Sequence, residues 1–117
     1  MAYKYGGFFM IELEEHLNNF IQNLRDEKFY DAHDDLESIW FARRFEESDE
    51  IKLLKGFINA SVSFELLKRG KAEPSQKVWK NYLKYRDLVH SVNSPYIDKY
   101  YQIIEEIERI KKSFINL

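Results

Sequence analysis

Phe29-Tyr30-Asp31-Ala32-His33-Asp34-Asp35-Leu36-Glu37-Ser38-Ile39-Trp40 is the stretch on which the reading of this chain turns. At about 100° per residue, Phe29, His33, Leu36 and Trp40 fall on one helical stripe. Glu37 lies at its edge, one turn after His33. Asp31, Asp34, Asp35 and Ser38 take the other sides. An imidazole and a carboxylate thus share a face with two large aromatics. Such faces are normally buried, and a buried polar group without a partner costs about 1–3 kcal/mol. Two readings follow. His33 and Glu37 are an architectural pair that satisfies itself, or they are part of a site. Two ligands are too few for a metal, so a metal reading needs a third group from elsewhere.

Working outward, the same period recurs along the chain. Residues 8–25 repeat Phe9, Leu13, Leu17, Phe20 and Leu24, with Glu14, Glu15, Asn18 and Asn19 on the wet side and His16 expected exposed among them. Asp26 is a cap or turn candidate, and the central helix runs from about 28 to 44 or 45. Glu46-Glu47-Ser48-Asp49 links it to a helix over 50–69 that is apolar nearly all round and is therefore expected to be enclosed by neighbours. Gly56, Ala60 and Ser63 give that helix a small-residue ridge that lets another helix come close. Gly70 stops it. Glu65 shares a line with Leu54, Ile58 and Ser61. If the second and third helices pack antiparallel, Glu65 faces the His33 end of its neighbour and supplies the third group.

Pro74 suits the first turn of a fourth helix over about 74–91. Ser94-Pro95 opens a fifth, about 95–115, with Tyr100, Ile103, Ile107, Ile110 and Phe114 inside. Gly6-Gly7 punctuates the start, so 1–7 is expected as a flexible N-terminus and 8–117 as one domain. No stretch alternates strictly, so no sheet is expected. The fold class is all-α: a single, mostly antiparallel bundle of about five helices.

The residues Phe29, Tyr30, Asp31, His33, Asp34, Glu37 and Trp40 also carry a resemblance. They are similar to the signature of the small all-helical family catalogued as domain of unknown function 309. Lys55-Gly56-Phe57-Ile58-Asn59-Ala60-Ser61 and Lys68-Arg69-Gly70-Lys71 resemble its second motif. The chain departs at Lys71, where Asn is usual, and at Glu65, where a His often stands. The resemblance spans about 25–90 and implies a compact helical bundle, without implying an activity.

Composition bounds the rest. In 117 residues, 44 % are hydrophobic and 16 % aromatic, which is enough for a real core and leaves tyrosine to spare for an interface. The absence of Cys excludes disulfides, thiolate zinc sites and cysteine nucleophiles. No apolar run is long enough to span a membrane, and Phe8-Phe9-Met10-Ile11 is too short for a signal peptide. A cytoplasmic protein is expected. The net charge of −2 argues against nucleic acid as a partner, although Tyr82, Tyr85, Tyr96, Tyr100 and Tyr101 near a basic helix could stack bases. Charge is uneven. Residues 26–50 are acidic and 66–87 basic, either as faces that attract each other across the bundle or as a basic face for an acidic partner.

There is no Gly-rich phosphate loop and no nucleophile elbow, and His33-x-x-x-Glu37 lacks the second His of a metalloprotease. Two functions therefore stand beside each other, and neither cofactor nor enzyme class is specified. The first is a non-catalytic helical interaction module, homodimeric or bound to another protein, with an architectural His33–Glu37–Trp40 cluster. The second is a small-ligand or divalent-metal protein, hydrolytic in one form, with His33 as ligand or base, Glu37 orienting it, Glu65 as third group and Asp34 at the rim.

Overall fold

The computed structural model describes the backbone of residues 2–115 and the side chains of residues 13–115. Five α-helices follow one another: α1 (Ala2–Arg25), α2 (Phe29–Arg43), α3 (Asp49–Lys68), α4 (Ala72–Arg86) and α5 (Ile97–Ile115). A 3₁₀ turn, Asp87–Ser91, finishes the run that periodicity had assigned wholly to the fourth helix. Helical backbone begins at Ala2, ahead of residue 8, where the apolar repeat starts. The expected inner residues Phe9 and Met10 lie outside the described side chains. No strand occurs among the described residues, and no helix among them is long and apolar enough to cross a membrane. The protein is an all-α bundle.

Its corners are set by hydrogen bonds that the sequence only partly announces. At the end of α3, Lys71 N–H donates to the Leu66 carbonyl at 2.8 Å and Gly70 N–H to Leu67 at 3.0 Å. Gly70 sits between them at φ +75°. This is a full Schellman stop, for which glycine is the least strained residue. The end of α1 repeats the pattern with a non-glycine. Lys28 N–H donates to Asn23 at 2.8 Å, Glu27 N–H to Leu24 at 3.1 Å, and Glu27 holds φ +59°. Asp26 therefore belongs to the end of α1, and Lys28 precedes α2 without a side-chain cap. Ser48 caps α3, its hydroxyl accepting from Ile51 N–H at 3.2 Å.

α3 is the central element. α4 runs antiparallel to it along the small-residue ridge: Gly56 meets Tyr85, and Ser63 meets Ser75. A β-carbon added at Gly56 would stand 2.9 Å from Tyr85 Cβ. The two serines are fully buried and satisfy each other. Their hydroxyls are 2.9 Å apart, and Ser75 Oγ donates to the Ser63 carbonyl at 2.8 Å. That double exchange is what a buried polar pair requires.

α5 lies on the other side, parallel to α1 and α3. Lys99 Nζ reaches Asn18 and Arg25 reaches Glu106. Phe114 stacks on Phe64 at 5.8 Å and meets Phe29 at 6.2 Å. Tyr100 is fully buried, and its hydroxyl donates to the Glu50 carboxylate. Burial pushes its ionisation well above the ordinary tyrosine value, and the bond to Glu50 adds to this.

His16 departs from expectation. It is half-buried, beside Asp35 of α2. Burial raises the Asp35 carboxyl, although Asn23 Nδ2 donates to it at 2.7 Å and the neighbouring imidazole pulls the other way.

Candidate functional site

α3 is not enclosed all round. Between Ile51 and Phe64 every residue is buried except Lys52, Lys55, Asn59 and Val62. Leu66 and Arg69 continue this line at the same 3–4 spacing, which is one stripe of a helix. α2 and α4 pack on either side and leave the stripe open between them. Over the 17 steps from Lys52 to Arg69 the resulting groove is about 26 Å long at 1.5 Å rise per residue. Val62 and Leu66, expected inside, are half-buried on its floor.

Each end of the groove widens into a pocket. The first, about 390 Å³, lies among Trp40, Arg44 and Phe45 of the α2 end, Lys52 and Lys55 of α3, and Tyr85 of α4. The Lys55 ammonium sits 4.0 Å from the centre of the Trp40 ring. The geometry is that of a cation–π contact, which holds both side chains at the rim. The second pocket, about 310 Å³, lies at the opposite end of α2 and α3, among Phe29, Tyr30, His33, Val62, Leu66 and the Glu65–Arg69 pair. Between the pockets, Asn81 of α4 donates to Asn59 across the floor at 3.5 Å.

The residues singled out in the sequence are brought together in part. His33 and Glu65 do share a pocket, as an antiparallel α2–α3 pair requires. Glu65 is held by Arg69, with Nε 3.1 Å from its carboxylate. Lys68 donates to the Glu27 carbonyl at 3.0 Å. His33 is half-buried between two carboxylates of its own helix: Nε2 is 3.4 Å from Glu37 and Nδ1 is 3.4 Å from Asp34. Both carboxylates lean to solvent, so the trio is a surface arrangement and not a sealed one. Trp40 belongs to the other pocket. Among the described residues no group of three His, Asp or Glu side chains is placed to hold a metal ion.

Asn81, the Trp40–Lys55 contact and the place of Arg69 beside Glu65 were not foreseen from the sequence. One signal was visible: Lys52, Lys55 and Asn59 interrupt an otherwise apolar helix at steps of three and four.

The outer face of α2 adjoins the groove. Tyr30, Phe41 and Phe45 expose 59, 55 and 85 % of their surface. The Arg44 guanidinium lies 3.7 Å from the Phe41 ring centre and 4.4 Å from that of Phe45. Glu37 and Asp34 punctuate this ridge. Along α4, Lys77 and Lys84 lie one turn either side of Asn81, on the edge that borders the groove. Among the described residues no ion pair joins the acidic stretch 26–50 to the basic stretch 66–87. The two do not neutralise each other within the bundle. Of the five tyrosines near the basic helix, Tyr82 and Tyr100 are fully buried and cannot stack a base.

Among the described residues five helices pack with α3 at the centre, with an open groove and exposed aromatics beside it, which defines an all-α helical-bundle protein. The chain belongs to the family described as Domain of unknown function (DUF309), whose profile matches residues 17–78, just over half its length. The match takes in all of α2 and α3, hence the whole floor of the groove and its α2 wall. No curated protein and no solved structure matches the chain.

Proposed function

We propose that this protein is a non-catalytic helical interaction module of the cytoplasm, which works by covering its α2 ridge and the adjoining groove with a protein partner. The observation that carries this reading is the exposure of Tyr30 and Phe41 on α2 and of Phe45 in the turn after it, beside a groove with half-buried Trp40, Val62 and Leu66. Large aromatics scattered singly on a surface need no explanation, but three aligned on one side of the same segment and bordering a groove fit the pattern of a contact surface. In this reading His33, Asp34 and Glu37 fix the local surface of α2, and Trp40 with Lys55 shapes one wall.

The test is cross-linking of the intact protein in its native extract, with the products identified by mass. The Phe41→Ser/Phe45→Ser variant serves as comparison. Both residues are exposed, so the variant should melt within about 2 °C of the parent. The expected result is a defined cross-linked protein species with the parent and its loss with the variant. Equal cross-linking of both, or none with either, refutes the reading.

A second reading is favoured by one observation. His33, Glu65 and Arg69 ring a pocket of about 310 Å³ whose walls are Phe29, Val62 and Leu66. Apolar walls with a few convergent polar groups suit a small ligand, and this volume lies at the low end of the range of about 300–1,000 Å³ that such sites occupy. The metal form of that reading has no donor set here. A small molecule that raises the melting temperature of the parent and not of His33→Ala would support it.

A further inference from the structure

We propose that the occupant of the groove is a second copy of this chain, each copy laying its own α2 ridge into the groove of the other. This rests on the interaction-module reading and names its partner.

The argument starts from where α2 sits. It forms one wall of the groove through His33 and Trp40. The next residues round the helix, Glu37 and Tyr30, begin the outer ridge. At about 100° per residue, Glu37, Tyr30, Phe41 and Asp34 follow one another away from the groove's edge. A two-fold axis beside α2 therefore carries the ridge of one copy over the groove of the other, and the same operation returns the favour. That is the geometry of an isologous contact, in which one patch faces itself.

Chemistry fits the same arrangement. The ridge is aromatic, with Asp34 and Glu37 between Tyr30 and Phe41 and with Arg44 against Phe41 and Phe45. The groove floor is apolar at Val62 and Leu66, where Glu65 is paired with Arg69, and Glu46 and Glu47 stand beside the lysines at its other end. Lys52 and Lys55 lie on the floor's polar half, and Lys77 and Lys84 border it from α4. Lys52, Lys77, Lys84 and Asp34 are exposed, and Glu37 is half-exposed. The Asp34–Glu37 part of the ridge and the lysines of the groove are thus opposite in charge, and the two surfaces share apolar character. Complementary potentials of this kind set register and partner choice more than raw affinity.

Two charge reversals test this. Lys52→Glu/Lys55→Glu turns the groove acidic and leaves the ridge alone. Asp34→Lys/Glu37→Lys turns the ridge basic and leaves the groove alone. Sedimentation equilibrium over a range of concentrations reads the mass, and circular dichroism confirms the helical fold of each variant. The wild type should approach twice the 14.2 kDa chain mass, with association weakening as salt rises. Each reversal alone should raise the dissociation constant by about tenfold or more.

Mixed in equal amounts, the two variants should associate with each other. In that pairing the acidic ridge of the first meets the basic groove of the second, and the basic ridge of the second meets the acidic groove of the first. Three results would overturn the proposal: a wild type that stays monomeric, a dimer indifferent to both reversals, or a mixture that fails to pair. A monomeric wild type that nonetheless forms a Phe41- and Phe45-dependent cross-link to a different protein refutes the second copy and leaves the module reading standing. Failure of both experiments removes both.

Discussion

Gly56→Ala tests the central claim about packing, that α4 rests directly on the backbone of α3. In an exposed helix interior the exchange stabilises by about 1 kcal/mol, because alanine loses less backbone freedom than glycine. Here the added carbon would stand 2.9 Å from Tyr85 Cβ and 3.8 Å from the Tyr82 carbonyl oxygen. Carbon atoms in contact prefer about 3.5–4.0 Å. Relief therefore takes an outward shift of roughly 0.6–1 Å. Tyr85 Cβ is fixed to the backbone and cannot swing aside, so the helix itself must move.

That movement strains the Ser63–Ser75 exchange farther along the same seam. Overpacking of this kind costs about 1–3 kcal/mol. Set against the propensity gain, the net loss is up to about 2 kcal/mol. For 117 residues the unfolding entropy is about 0.25 kcal/mol/K, so each kcal/mol lowers the melting temperature by about 4 °C. Thermal unfolding followed by circular dichroism should show a fall of up to about 8 °C. A Gly56→Ala protein melting above the wild type would show that α4 does not lie where the structure puts it.

Three other predictions follow from buried or strained groups. The Tyr82 hydroxyl is buried with no hydrogen-bond partner among the described residues, so Tyr82→Phe should be neutral or stabilise by up to about 2 kcal/mol in urea unfolding; a loss above 1 kcal/mol would reveal a partner. Glu27 holds a left-handed conformation that costs a non-glycine residue about 1 kcal/mol, so Glu27→Gly should raise the melting temperature by roughly 4 °C, and a decrease would refute the strained turn. Burial pushes the ionisation of Tyr82 and Tyr100 upward. Their contribution to stability is therefore complete below the unfolded tyrosine value near 10 and is lost as pH rises beyond it. Melting temperature measured from pH 8 to 12 should fall above about pH 10 and fall less steeply in Tyr82→Phe; a flat profile would contradict their burial.

Helices, their order and most of their inner faces were legible in the sequence because apolar residues recur at helical spacing and nothing else competes with that period. Gly56, Ala60 and Ser63 announced a close helix contact, and Gly70 announced a stop. Other corners were hidden. Glu27 adopts a glycine-like conformation that its identity does not advertise, and its carbonyl accepts from Lys68, which is distant in sequence. The 3₁₀ turn at Asp87–Ser91 continues the apolar repeat of α4, so periodicity cannot separate the two.

At the candidate site, the meeting of His33 and Glu65 followed from antiparallel packing alone. Arg69 as the partner of Glu65 did not, since Lys68 and Arg69 are equally reachable from one turn away until the helix end is placed. The open stripe escaped notice because Val62 and Leu66 read as core by residue type, although Lys52, Lys55 and Asn59 marked the same line.

Phe114 has a consequence for the order in which the protein is assembled. It stacks on Phe64 and Phe29, which lie far back in the chain, whereas α2 on α3 and α3 on α4 are contacts between consecutive helices joined by short turns. During synthesis the α2–α3 and α3–α4 hairpins can form as they emerge, but one side of Phe29 and Phe64 stays uncovered until the ribosome has released almost all of α5. Until then the nascent chain presents two unsealed phenylalanines, and the last helix acts as the latch that ends their exposure.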